Sequence, residues 1–140
     1  MTLRQGFFAW APAVLYMALI WTLSSFSAVS VPIDEMPFQD KGAHFVEYGM
    51  LGILLAHACI QTWKSKRGPR TWLMAVIMTT AWGALDEVHQ AFVPARNSDI
   101  FDLAADCLGA CIGALVCHGL YRFWISRRQA RDHGAPKESP

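Results

Sequence analysis

Apolar residues fall along this chain in four long blocks, Phe7–Phe26, Gly42–Trp63, Trp72–Phe92 and Asp102–Trp124, with Gly, Ala, Trp and Met mixed among them. They are not spread with the period of a soluble element. A helix crosses a bilayer with about 20 mainly apolar residues, and each block is long enough. The pattern therefore predicts an all-α, polytopic bundle of four transmembrane helices, with one membrane domain over residues 1–124. The first block follows Arg4 and ends near Ser25-Phe26-Ser27, which resembles a cleavage site. Its apolar run exceeds the about 7–15 residues of a signal-peptide core, so an uncleaved helix is expected. Beyond Trp124 the chain turns basic, then polar with Gly and Pro, and a disordered tail is expected over residues 125–140.

Composition supports this picture. Charged residues make up 16% of the chain and hydrophobic residues 54%, whereas a soluble domain averages about 25% charged. The net charge of +1 indicates no particular partner, and no nucleic acid is expected. The distribution of charge is more informative. Ten of the twelve Lys and Arg lie at Arg4, in the segment Lys64–Arg70, or from Arg122 to Lys137. By the positive-inside rule these segments and both termini are expected in the cytoplasm. Nine of the eleven acids, all but Asp132 and Glu138, then belong to the opposite side. Cys59, Cys107, Cys111 and Cys117 lie within the blocks without zinc-type spacing, and are read as small packing residues.

The acids reach into the spans. The uncharged stretches Tyr48–Trp63, Thr71–Leu85 and Cys107–Tyr121 cover only about 22–24 Å of a hydrocarbon core about 30 Å thick. Charged residues fill the shortfall, always at the end away from the basic segments. Glu47, Asp86 and Asp106 are placed at one common depth, with Ser24 and Ser25 slightly beyond it. Facing agrees. Asp40, His44, Glu47 and Tyr48 share one stripe of the second helix, and Asp86, His89 and Gln90 share one face of the third with Glu87 at its flank. On the fourth, Asp99, Asp102 and Asp106 lead into Gly109 and Gly113, a GxxxG element that permits close backbone packing. The acids are thus expected to point into the bundle.

These residues also carry a family resemblance. It begins at Ser24-Ser25 and continues through Asp40-Lys41-Gly-Ala-His44-Phe-Val-Glu47-Tyr48-Gly49-Met-Leu-Gly52. It is strongest at Asp86-Glu87-Val-His89-Gln90-Ala-Phe-Val-Pro94-Ala-Arg96, followed by Asp99, Asp102, Gly109 and Gly113. The sequence resembles the VanZ-like family, named after a teicoplanin (glycopeptide) resistance protein, over most of residues 10–120. The resemblance implies a multi-pass protein of the bacterial cytoplasmic (inner) membrane, acting at the cell envelope and linked in some members to glycopeptide resistance. Where the family usually has Asn before the Leu-Gly of the fourth helix, this chain has Asp106, which adds an acid.

Ionised side chains at membrane depth cost about 2.5–3.5 kcal/mol each on insertion scales and mark a functional site by default. Seven acids (Asp40, Glu47, Asp86, Glu87, Asp99, Asp102, Asp106) face Lys41 and Arg96, with His44 and His89 able to protonate. Some acids are expected to be protonated, or a cation to bind. One reading is a membrane enzyme on a phospholipid or lipid-linked cell-wall precursor. His44, Glu47, Asp86, Glu87 and His89 would then be catalytic. Lys41, Gln90, Arg96, Ser24, Ser25 and Tyr48 would hold substrate, Arg96 gripping phosphate. Asp86, Glu87, Asp102 and Asp106 would hold a divalent cation through oxygen. A second reading is a non-catalytic binding or resistance protein, and a third a proton or ion pathway, for which four helices are few unless the chain forms an oligomer. The purely architectural alternative is a set of interhelical ion pairs, such as Lys41 with Asp86 and Arg96 with Asp99 or Asp102. Asp40 could be an N-cap, and His57 and His118 are expected to make helix contacts.

Overall fold

The computed structural model describes residues 2–26, 37–63, 69–94, 96 and 99–134. The loop with Asp34 and Glu35, the basic segment 64–68, the side chain of Asp40 and the end of the tail, 135–140, lie outside the described residues. Four helices account for nearly all the rest: α1 (Leu3–Ser24), α2 (Pro37–Thr62), α3 (Pro69–Gln90) and α4 (Ile100–Gly134), with no strand among the described residues.

Local chemistry sets the helix starts. Thr2 and Gln5 form a reciprocal capping box, so α1 begins four residues before the apolar block does. α2 and α3 both open on proline, Pro37 and Pro69. Proline suits the first helical position because its missing N–H would have no partner there. Asp40 accordingly sits inside the first turn of α2 and is not its N-cap. Pro12 lies within α1, an interruption that spanning helices tolerate when neighbours compensate.

The helices run up, down, up and down. Trp10 Nε1 donates to Thr62 Oγ1 (2.8 Å), tying the start of α1 to the end of α2. Thr71 Oγ1 and His118 Nε2 are 2.9 Å apart, tying the start of α3 to the later part of α4. At the opposite end Ser24 meets Asp86, and Lys41 meets Asp99 and Asp102. Leu3 and Gly134 therefore lie toward the same end. His118 makes the helix contact expected of it, while His57 is exposed.

α2 and α4 make the most extensive contact in the bundle, and glycine is the reason. A Cβ on Gly109 would collide with Phe45 O, and one on Gly113 with Gly49 O. From the α2 side, a Cβ on Gly52 would sit 2.8 Å from Ala110 O. With no hydrophobic driving force between helices in lipid, such close backbone approach supplies the packing. Tyr48, Leu51, Leu55, Cys59, Ala75 and Ala114 form the buried core, with Cys111 and Cys117 packed against it.

The exterior is apolar. Phe7, Leu15, Val46, Ile77, Leu85, Val88, Leu108 and Leu120 are among the large side chains left exposed, an arrangement suited to lipid. α1, α2 and α4 are long and apolar enough to cross a membrane. α3, expected as a fourth such helix, has the length, 22 residues, but falls short in apolarity. Its polar residues Thr71, Thr79, Asp86, Glu87 and Gln90 are buried, while Leu73, Ile77, Leu85 and Val88 face outward. The polarity is spent inside the bundle.

Of the tail expected to be disordered, residues 125–134 continue α4 to Gly134, and residues 135–140 lie outside the described residues. Gly134 lies about 24 Å beyond His118 along the axis, so this end projects past the contact with α3. Arg127, Arg128, Gln129, Ala130 and Arg131 are good helix formers, and the Arg127 guanidinium lies 4.4 Å from the Phe123 ring centroid.

Candidate functional site

The polar residues of all four helices converge at the end of the bundle that holds Ser24, Lys41, Asp86 and Asp102. Successive residues of a helix are rotated by about 100°, so Asp86 and Glu87 on α3 face different neighbours. Asp86, 2% exposed, turns toward α1. Its Oδ1 accepts from Ser24 Oγ at 2.5 Å, and its Oδ2 accepts from Gln90 Nε2 at 2.8 Å. Glu87 turns toward α4, where its Oε2 accepts the Asp99 amide at 3.0 Å.

Asp106 is completely buried. Its Oδ1 lies 3.0 Å from Nδ1 of the buried His44, joining α4 to α2. Room for this carboxylate comes from Gly83 on α3, where a Cβ would stand 2.6 Å from Asp106 Oδ2. The His44 ring lies parallel to that of the fully buried Tyr48, at 6.2 Å. Tyr48 in turn lies in the field of Asp86, Asp106 and Glu47. Glu47, half-buried, feels His44, Asp86, Asp106 and Arg96 together. The three acids placed by sequence at one depth thus share one electrostatic neighbourhood.

A second group sits at the rim. Lys41 Nζ donates to Asp99 Oδ2 at 2.7 Å and to Asp102 Oδ1 at 2.9 Å. The ammonium, with the Phe101 amide, holds the Asp99 carboxyl below the usual carboxylate range. The expected pairing of Lys41 with Asp86 is not formed, since Asp86 faces α1. Nor does Arg96 pair with Asp99 or Asp102; among the described residues, its Nε is buried without a hydrogen-bond partner.

On the α1 side, Ser25 Oγ and His89 Nε2 are 2.9 Å apart, and the His89 ring stacks on Trp21 at 4.1 Å. Ser25 Oγ also donates to Trp21 O at 2.6 Å, so its hydroxyl proton is committed and His89 is the donor to Ser25. Ser24 and Ser25 therefore act first as supports, for Asp86 and His89 respectively.

Two buried acceptors stand out. Among the described residues, Glu87 Oε1 and Asp106 Oδ2 have no hydrogen-bond partner, although Glu87 is only 8% exposed and Asp106 not at all. Buried carboxylate oxygens left this way are expensive. His44, Glu87 and Asp106 each offer a donor atom within 4.8 Å of the others, a set able to hold a metal ion. The four acids proposed from sequence as an oxygen-only cation site are not grouped in this way. Asp86 has a donor on each oxygen, from Ser24 and Gln90, Asp102 is held by Lys41, and His44 joins Glu87 and Asp106 instead. Sequence reasoning also passed over Gly83 and Trp21. Gly83 lies three residues before Asp86, close to its face, and that spacing was its available signal. Trp21 had none beyond its position one turn before Ser25.

The VanZ/LLP1 family model matches residues 7–124. No curated protein and no solved structure matches the chain.

Proposed function

We propose, from the premise that this chain belongs to the VanZ-like family, that it binds a lipid-linked cell-envelope component by its phosphorylated head group. Binding takes place at the polar end of a four-helix membrane domain, residues 1–124. The basic segments set the orientation: both termini are in the cytoplasm of a bacterial cell, and the polar end faces the outer leaflet. α3 crosses with the other three helices, its polar side turned inward.

The observation that carries this reading is the buried Nε of Arg96 beside the acid cluster, without a hydrogen-bond partner among the described residues. A guanidinium offers a fork of donors matched to phosphate oxygens, and a buried donor without an acceptor is a standing cost that such a ligand removes. A groove of about 450 Å³ between α3 and α4 supports the lipid part. Val88, Ala91, Phe92, Ile100 and Leu103 form its apolar wall, and Glu87 and Asp99 its polar one. Lipid tails fit the apolar wall. Sequestering an envelope precursor in this way alters what a glycopeptide reaches, which accounts for the resistance associated with the family name.

Catalysis on the same head group is the second reading, favoured by the His44–Asp106 pair at 3.0 Å. An imidazole oriented by a carboxylate is the usual form of a general base. Thermal shift in detergent, on chelator-treated protein, tests the binding reading. A polyprenyl phosphate should raise the Tm of the wild type, and the unphosphorylated alcohol should not. Arg96→Ala should weaken the effect by about tenfold or more, consistent with the about 1.5–3 kcal/mol of a charged hydrogen bond, with Arg96→Lys in between. Equal binding by wild type and Arg96→Ala would refute it. Recovery of a dephosphorylated or otherwise altered lipid would favour catalysis.

A further inference from the structure

The geometry points to a divalent transition-metal site made by His44 of α2, Glu87 of α3 and Asp106 of α4, one ligand from each helix. Three observations meet here. The donor atoms lie within 4.8 Å of one another. Both carboxylates are more than nine-tenths buried, and each has one oxygen, Glu87 Oε1 and Asp106 Oδ2, without a hydrogen-bond partner among the described residues. Gly83 keeps the space beside Asp106 Oδ2 open, since a Cβ there would stand 2.6 Å away.

Ligands on one first-row ion, each about 2.0–2.2 Å from it, are separated by about 3–3.5 Å. His44 Nδ1 and Asp106 Oδ1 stand 3.0 Å apart across a hydrogen bond; an ion would displace the proton they share to solvent, with a Glu87 oxygen no more than 4.8 Å from a donor atom of each. Glu87 Oε2 accepts the Asp99 amide, and Asp99 is held by Lys41. An outer hydrogen bond of this kind orients a ligating carboxylate. The imidazole decides the class of ion. Mg²⁺ and Ca²⁺ prefer all-oxygen shells, whereas imidazole with carboxylates suits Mn²⁺, Fe²⁺ or Zn²⁺. Three protein ligands leave a position open for water or for an anionic oxygen of a head group. Ion binding itself needs no lipid and is tested without one.

The experiment uses tag-free, chelator-stripped full-length protein in detergent with the metal alone. Metal analysis after dialysis should find one Mn²⁺ or Zn²⁺ per chain, with Mg²⁺ binding about tenfold more weakly or worse. Glu87→Gln and Asp106→Asn should each weaken binding by at least about tenfold, because changes to outer-shell partners alone cost about 10–100-fold. Asp86→Asn, which removes only a neighbouring charge, should weaken binding far less. Pulsed EPR of the wild-type Mn²⁺ complex should show coupling to a ¹⁴N nucleus, lost in His44→Ala. The proposal is overturned by absence of one-to-one uptake, by equal weakening in Asp86→Asn, or by a Mn²⁺ spectrum without nitrogen coupling. If a variant fails to fold, the wild-type spectrum still decides. Because no lipid is added, failure here is separate from failure of the head-group reading.

Discussion

The Ser24 hydroxyl donates to Asp86 Oδ1 across 2.5 Å, linking the last residue of α1 to α3 over 62 positions of sequence. Both side chains are buried, Ser24 at 5% and Asp86 at 2% exposure. Ser24→Ala removes the donor and leaves a carboxylate oxygen without one, a loss of about 1–3 kcal/mol. Unfolding in mixed detergent should show it. Ser25→Ala, at an exposed neighbour, should change stability by no more than about 0.5 kcal/mol. Equal effects at the two serines would remove Ser24 from its supporting role.

Glycine packing between α2 and α4 makes a second expectation. Gly113→Ala drives a methyl into Gly49 O, and Gly109→Ala drives one into Phe45 O. Both contacts are backbone and cannot rotate away, so each change should destabilise by at least the about 1–3 kcal/mol of ordinary overpacking. A methyl at Gly119 would meet nothing within 4 Å. Gly119→Ala should therefore be neutral or stabilise by up to about 1 kcal/mol through helix propensity. The order of the three midpoints in one denaturation series checks the argument.

Among the described residues, Lys41 is the only cation bonded to two carboxylates. Its removal in Lys41→Met leaves Asp102, 3% exposed, buried without its counter-charge. Because the Lys41 side chain is 33% exposed, solvent screens part of the pair, and the loss of stability should be smaller than for a fully buried one. Lys41→Met combined with Asp102→Leu should recover much of it, since no lone charge then remains. A double variant no more stable than the single one would contradict this account.

Orientation can be read directly. On the proposed orientation, reporter fusions at either terminus should behave as cytoplasmic. A cysteine at Ser25, in a background lacking the native cysteines, should react with an impermeant reagent added outside intact cells. A cysteine at Arg128 should react only after the membrane is opened. The reverse pattern would invert the assignment and place the site at the inner leaflet.

Much of this molecule follows from local rules. Apolar block length is enough to place four helices, whereas three of their starts, at Leu3, Pro37 and Pro69, lie before the blocks and follow the Thr2–Gln5 capping box and the two prolines. Each of these signals acts within a turn or two of its own residue. The helical repeat likewise puts His44, Glu47, Asp86 and Asp106 on inward faces, because polar groups at membrane depth cannot face lipid. Apolarity is a poor guide to the end of α4, which persists to Gly134. Loss of apolarity there is not loss of helix, since Arg and Gln favour helix about as well as Leu does.

Which inward residues meet was settled only by tertiary packing. Asp86 and Glu87 are neighbours in sequence, yet one bonds α1 and the other α4. Lys41 could as well have met Asp86 by charge alone, and instead meets Asp99 and Asp102. Such choices depend on the rotation and offset of each helix against its neighbours. Those are set by the glycine contacts of α2 with α4 and by the space at Gly83, among residues far apart in the chain. Sequence alone thus determined that a polar cluster lies inside a membrane bundle. The packing decided that His44, Glu87 and Asp106 share its centre, because only the assembled helices bring three donors from three elements within reach of one another.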